Sequence, residues 1–487
     1  MMSSILLLAA LRLGAPFSDG MVIQRQMPVR VWGTSEPRSE IKVKLDGDSA
    51  STVASTEGKW MVELPPRGAS KKGVSLKVEE YRVSVLPMSK MLDEVTVDDI
   101  LVGEVWFASG QSNMECPIWG PNPRFRDEKG AMMVAMSNNP FIRFVVNRKE
   151  IDGELQCSLS PKAIKSEWRK LTAEGLKTRT DDPREYTLSA VAFYFARELY
   201  LATDVPIGIV ESAWGGTPIE AWTPGCTTDA QEVEAFLKAT DNQVNYNTPM
   251  ALFNGMVADY CPMQMRGVIW YQGCNNKGDS VNTYRNRMHR LYDGWTKMFK
   301  NPELKLYFAQ LAPYSTNWMN ICVAQTQFAE EEKNANLVVL ADAGNFWDIH
   351  PSRKDIVGAR LAMHALRREY GVDMPGDESP VMTKMEPVGD TMVLDFKNVK
   401  EWYIYANDWT LEPPFELCGD DGEWKPAKLV NAVSTDRATR GNVAGGARLI
   451  LKAEGVDAPK HARYMGRNKT GGVMYNELSL PLGPFAK

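Results

Sequence analysis

Histidine is scarce in this chain. Its 487 residues include four, His289, His350, His364 and His461, so chemistry that needs an imidazole has few places to find one. Cysteine is sparse and irregular. Seven are spread at 116, 157, 226, 261, 274, 322 and 418, with no C-x-x-C pair. That spacing argues against a zinc site and against a disulfide scaffold. A core of this size needs no such staples, and the odd count leaves at least one thiol free or paired between chains. Positive charge is not in excess: the formal net charge is −5, which offers no basic field for nucleic acid. No apolar run is long enough to span a bilayer, and there is no internal repeat or low-complexity segment.

What remains is an ordinary globular composition, 44% hydrophobic and 24% charged, at a length that suggests two to four domains. The stretch around which the chain is organised is Glu104 to Pro117, EVWFASGQSNMECP. Val105 to Ala108 reads as a buried strand that breaks at Gly110, where a tight turn suits a residue without Cβ. Ser112 then sits at a strand-to-loop corner and is a candidate nucleophile. A serine nucleophile needs a base, and the base an orienting carboxylate. Asp348-Ile349-His350-Pro351 follows an apolar strand at Leu337 to Leu340. In an extended segment Asp348 and His350 face the same side. His364 lies in an apolar helical run, His289 sits among arginines, and His461 falls in a polar loop, so His350 is the candidate base. Asp342 is the rival acid.

Three regions follow from the pattern. Positions 11–98 alternate as short strands separated by Gly, Pro and Asp turns, a small sandwich. Positions 99–370 alternate strands with helices. Positions 371–487 return to short strands, with candidates at Met392 to Phe396, Trp402 to Ala406, Phe415 to Gly419 and Leu449 to Lys452. The middle region has five candidate strands: Ile100 to Ala108, Val205 to Glu211, Gly267 to Tyr271, Leu304 to Gln310 and Leu337 to Ala341. Four are followed by chemistry-bearing residues, Ser112, Gly215 with Gly216, Asn276, and Asp348 with His350; the other is followed by Ala312-Pro313-Tyr314. Polar groups gathered at the carboxyl ends of strands are what a three-layer α/β hydrolase core requires. Leu188, Val191, Ala192, Phe195 and Leu199 share one helical face, predicting a helix that packs on the sheet.

Taken together, GQSNM around Ser112, WGGTP at Trp214 to Pro218, WYQG-x-x-N at Trp270 to Asn276, and DIHP followed by Lys354 and GARLA resemble the sialate O-acetylesterase family, within the SGNH/GDSL hydrolases. FSDGMVIQ at Phe17 to Gln24 and the carboxyl-terminal region extend the resemblance to nearly the whole chain. It implies an α/β fold with an SGNH-type core and a mainly parallel sheet, flanked by N- and C-terminal β-sandwich-like regions. It implies acyl transfer with Ser112 as nucleophile, His350 as base and Asp348 as its orienting acid. Gly215 or Gly216 and Asn276 line the oxyanion hole, and Gln272 either supplies a donor there or stabilises the loop. One position departs: the family usually has Glu where this chain has Cys274, which cannot carry a carboxylate's charge and is also a rival nucleophile.

Fourteen tryptophans and 16 tyrosines are compatible with sugar binding, since flat rings cover the apolar faces of pyranoses, or with a core role. Trp214, Trp222, Trp119, Trp347 and Tyr314 flank the motif segments and are the candidate sugar platforms. Arg360 reads as an ion-paired structural residue. Arg353 and Lys354 either approach an acidic sugar or are solvated at a helix start. The expected partner is an acetylated sugar or glycan, with no nucleic acid, no membrane span, no metal and no cofactor. Enzymes for acetylated sialic acid and for acetylated plant polysaccharides such as xylan both fit, as does a carbohydrate-binding protein with an impaired site. The apolar start, MMSSILLLAA at 1–10, reads as a possible signal remnant, and members of the family are commonly exported, so a periplasmic or secreted location is expected.

Overall fold

The structure is a computed structural model that describes residues 11–82, 90–152, 167–177, 187–405, 415–431, 442–466 and 472–487. The possible signal remnant at 1–10 and Cys157 lie outside them. The fold is mixed α/β with a large sheet. The chain forms two compact units, one of residues 1–110, 114–269 and 290–306, the other of residues 111–113, 270–289 and 307–487.

The first unit opens with β1 (Arg12–Leu13), β2 (Val22–Gln24), β3 (Val29–Thr34), β4 (Glu40–Leu45), β5 (Asp48–Val53), β6 (Lys59–Leu64) and β7 (Ser70–Arg82). β6 alternates exposed and buried residues strictly, putting Trp60, Val62 and Leu64 inward, the period-2 signature of a half-buried strand. Strands β1, β3 and β6 form one antiparallel sheet, while β5, β4 and β7 pair in sequence within the large one.

Strand β8 (Lys90–Gly110) is 21 residues long and runs straight through position 98/99, where the sequence pattern suggests a boundary. The structure instead absorbs Asp99 within the strand at φ +56°. Arg143 Nη2 donates to its carboxylate at 3.0 Å, and Lys170 lies 3.2 Å away. The amino-terminal half of β8 pairs antiparallel with β7. Its fully buried carboxyl-terminal half pairs parallel with β11 (Ile207–Ala213), which pairs parallel with β9 (Asn138–Val146); β10 (Arg169–Thr172) adds antiparallel to β9.

Helix α1 (Ala190–Thr203) is the predicted one. Ser189 caps it by accepting from the Ala192 N–H at 3.2 Å, and Val191, Ala192, Phe195 and Leu199 are buried. Lower in the sheet, Glu104 is fully buried and receives Arg266 through two hydrogen bonds of 2.8 and 3.1 Å, Gln24 at 2.9 Å, and Arg25. Burial pushes this carboxyl group up, but Arg266, Arg25 and Gln24 together hold it below its ordinary value.

The second unit takes over within β12 (Gly267–Tyr271) and again within β13 (Lys305–Ala309), and continues with α2 (Met319–Glu331), β14 (Ala335–Val338) and α3 (Lys354–Tyr370). Strand β14 starts two residues earlier than its apolar run suggests. Beyond α3 the unit is all β. One antiparallel sheet runs through β15 (Val381–Val388), β16 (Thr391–Lys397), β18 (Phe415–Cys418), β19 (Lys425–Leu429), β21 (Arg448–Ala453), β22 (His461–Tyr464) and β24 (Phe485–Ala486). A second sheet holds β17 (Glu401–Tyr405), β20 (Asn442–Gly445) and β23 (Val473–Tyr475). Both contribute to one apolar core that includes Leu394, Phe396, Trp402, Leu417, Leu451, Tyr464 and Met474. His461 therefore belongs to a strand, not a loop.

Candidate active site

In the second unit three distant segments converge on Ser112. Gly110 takes φ +139°, and Ser112 becomes the first residue of a short helix, Ser112–Glu115. The first N–H groups of a helix have no intrahelical acceptor. Gln111, buried, donates its backbone N–H to the Tyr271 carbonyl at 3.0 Å. Its Oε1 accepts from the N–H groups of Gly273 and Asn275 at 3.1 and 3.3 Å. Gly273 sits at φ +143°, and a Cβ there would lie 2.9 Å from Ile321, so this close turn requires glycine. On the other side, Asn113 Nδ2 donates to the Ile349 carbonyl at 3.0 Å. The residue after the serine is thereby bonded to the residue before the histidine.

The aspartate and histidine meet by a route the extended-strand argument does not describe. Residues 345–348 form a tight turn closed by an Asn345–Asp348 bridge. Asp348 Oδ1 then accepts the His350 backbone N–H at 2.8 Å, an Asx-type turn. The same oxygen lies 4.0 Å from His350 Nδ1, beyond hydrogen-bond length. Burial, and then the charge of Lys354, hold the imidazole below its ordinary value, with Asp348 pulling the other way. Asp342, the rival acid, is occupied by Arg360 through two bonds of 2.6 and 2.7 Å.

Beside these groups lies a polar network built on the loop after β12. Gln272 is fully buried; its Nε2 donates to Asn276 Oδ1 at 2.8 Å and its Oε1 accepts from the Tyr284 hydroxyl at 2.8 Å. Both ends of the Gln272 amide thus bond to the loop and helix that follow it. Asn276 Nδ2 donates to Asp279 at 3.2 Å, and Arg287 holds Asp279 at 2.6 Å. Cys274 is buried, and burial pushes its thiol up to about 12. A thiol so far from ionising is a poor nucleophile.

Lys354, read from sequence as either approaching an acidic sugar or solvated at a helix start, is not solvated. The first residue of α3 is fully buried, and its ammonium donates to Asn113 Oδ1 at 2.6 Å. One signal was present in the sequence: a cation in a helix's first turn is opposed by the macrodipole, so its presence there calls for another reason.

In the first unit, Glu115 accepts the Gly215 N–H through Oε2 and also binds Lys149. The Gly215 N–H is thus engaged by a carboxylate. Gly216 is exposed at φ +73°. The aromatic candidates divide. Trp222 is fully buried, with its Nε1 on Thr217 at 3.0 Å, so it is a core residue and not a sugar platform. Trp119 has the Arg126 guanidinium 3.9 Å from its ring centroid, covering one face. Trp214 stacks on Tyr246 at 5.4 Å. In the second unit, Tyr314 stacks on Trp318 at 5.4 Å, and Trp347 is 86% exposed.

Comparison with known proteins decides the family. A family model described as "carbohydrate esterase, sialic acid-specific acetylesterase" matches residues 102–362, more than half of the chain. The chain belongs to this family. It is therefore a carboxylic ester hydrolase. The human sialate O-acetylesterase is 27% identical over 467 aligned residues, covering 88% of this chain and 84% of the human protein. The mouse sialate O-acetylesterase is 26% identical, covering 87% and 85%. Among solved structures, a carbohydrate acetylesterase from Xanthomonas citri is similar to this chain with a TM-score of 0.79 and 28% identity, over 98% of this chain and 99% of that one. Among the described residues no helix is long and apolar enough to cross a membrane.

Proposed function

We propose that this member of the family is a serine-dependent carbohydrate O-acetylesterase that removes acetyl esters from sugars, with O-acetylated sialic acid the preferred substrate. The observation that carries the mechanism is the bond from the Asn113 side-chain amide to the Ile349 carbonyl, which ties the residue after the serine to the backbone of the histidine loop. Ser112 Oγ attacks the acetyl carbonyl while His350 takes its proton. The negative charge that develops on the carbonyl oxygen needs donors placed in advance; the Ser112 N–H and the Asn276 amide fill that role. His350 returns the proton to the departing sugar alkoxide as the C–O bond breaks. Water, activated by the same imidazole, then releases acetate from Ser112. In this reading 99–370 is a three-layer SGNH-type catalytic region flanked by β regions at 11–98 and 371–487. The parallel set β9, β11 and β8 supports it.

The test pairs acetate release with active-site labelling. Wild-type protein is assayed on an aryl acetate, O-acetylated sialic acid and acetylated xylan. A fluorophosphonate adduct is then located by mass spectrometry. Label on Ser112 and a preference for the sialic acid are expected. Label on Cys274 overturns the serine mechanism, and a preference for xylan transfers the substrate assignment.

The pH profile carries a further expectation. His350 acts unprotonated, and its surroundings lower its proton affinity. Activity is thus present above the folded-state pKa and lost as pH falls through it, placing the acid limb of kcat/KM below the ordinary histidine value of about 6.5. Asp348→Asn removes an influence that raises it, so the limb moves lower still. The rate falls by about 10- to 100-fold, less than the ~10⁴ of a directly hydrogen-bonded triad, because the 4.0 Å separation is long. An unchanged rate and profile would remove Asp348 from the mechanism.

A further inference from the structure

We propose that Lys354 and Asn113 act as a pair of positioning residues: they fasten the His350 loop to the Ser112 turn and set a fixed positive charge in the surroundings of the base. The inference rests on the reading of Ser112 and His350 as nucleophile and base. It begins with a buried ammonium at a helix start. Lys354 is fully buried at the first residue of α3. There it bears both the desolvation cost of a buried cation and the opposing helix dipole. Its ammonium is directed onto Asn113 Oδ1 at 2.6 Å and lies 5.8 Å from the Tyr271 ring centroid, within cation–π range.

Asn113 is itself buried and uses both ends of its amide. The oxygen accepts from Lys354, and the Nδ2 donates to Ile349 at 3.0 Å. A cation on the amide oxygen polarises the group and strengthens the N–H as a donor. The lysine therefore tightens the bond that joins the two catalytic segments. The charge has a second effect. Among the groups acting on the His350 imidazole, Lys354, from α3, and Asp348, from its own loop, act in opposite directions. Cys274, which faces Lys354 and Asn113 from the loop after β12, remains a neutral thiol and adds no countercharge. Lys354 thus favours the unprotonated base before attack. It also makes the imidazolium a stronger acid when the sugar alkoxide must be protonated.

The test reads the imidazole directly. NMR titration of His350 in the full-length protein, assigned with His350→Ala, needs no turnover. In Lys354→Met the His350 titration and the acid limb of kcat/KM move together to higher pH, and the plateau kcat falls about tenfold. Lys354→Arg retains the charge and restores the titration. Asn113→Leu keeps the charge but loses the link, so kcat falls by about 10- to 100-fold while the titration stays near that of wild type. Cys274→Asp adds a carboxylate beside the lysine without removing it and moves the titration upward, which covers the case in which Lys354→Met does not fold. A folded Lys354→Met or Cys274→Asp variant with the wild-type titration overturns the proposal. If instead Ser112→Ala and His350→Ala keep full activity, the catalytic reading itself is what fails.

Discussion

Ser112→Ala is expected to lower acetate release by roughly 10⁴- to 10⁶-fold and to leave the thermal unfolding curve where it was. The activity loss is large because the covalent intermediate needs an oxygen nucleophile at this corner. The nearest rival, Cys274, is held as a thiol by its burial. The residual rate over water would come from the oxyanion donors and substrate binding. Stability is spared because the turn is held by its neighbours, Gln111 on Gly273 and Asn275 and Asn113 on Ile349. Aryl-acetate kinetics and a circular dichroism melt on the same preparation check both halves. Turnover within tenfold of wild type would remove Ser112 as the nucleophile.

Glu104→Ala is expected to produce the largest loss of stability. Its carboxylate is fully buried in β8 and receives Arg266 in a two-point bond, Gln24 and Arg25. Removing one partner of a buried ion pair costs about 3–5 kcal/mol, since the remaining charge stays desolvated. The check is the urea midpoint of the full chain, read at a probe within the first unit. A pH dependence separates this from simple loss of packing. The folded pKa of Glu104 is depressed. Its contribution is therefore fully present above the unfolded value of about 4.3 and is lost as pH falls through the folded one. The gap between wild type and Glu104→Gln narrows over that acid range. A gap that stays constant there would make the effect one of shape and not of charge.

Local pattern carried much of this architecture. The strands around Trp106, Ile209, Trp270, Phe308 and Val338 and the face of α1 all follow from apolar runs and a 3.6-residue period. The motif residues fall where those strands end. What pattern does not carry is which polar group is already engaged. Gly215 and Gln272 look like available donors in sequence. Their contacts with Glu115 and with Asn276 and Tyr284 come from positions far off or across a loop. Nor does a tryptophan's type separate Trp222, fully buried, from Trp347, 86% exposed. Nor does pattern show that β8 continues through 98/99, where Arg143 and Lys170 hold Asp99. Lys354 was visible as a residue near an acidic sugar or solvated at a helix start, but its burial against Asn113 comes from the fold and not from local pattern.

The division of the chain has a practical consequence. Residues 111–113 cluster with the second unit, while 110 and 114 on either side cluster with the first. The Ser112 turn is thus a three-residue segment of a body otherwise assembled from sequence 157 or more positions downstream. Splitting the gene at any codon between 114 and 269 separates Ser112 from His350. A fragment chosen to contain β12 through the carboxyl terminus carries His350, Lys354 and the polar loop, yet lacks Ser112. Split-enzyme or circularly permuted versions of this hydrolase therefore need new termini that leave the Gly110–Met114 corner covalently intact.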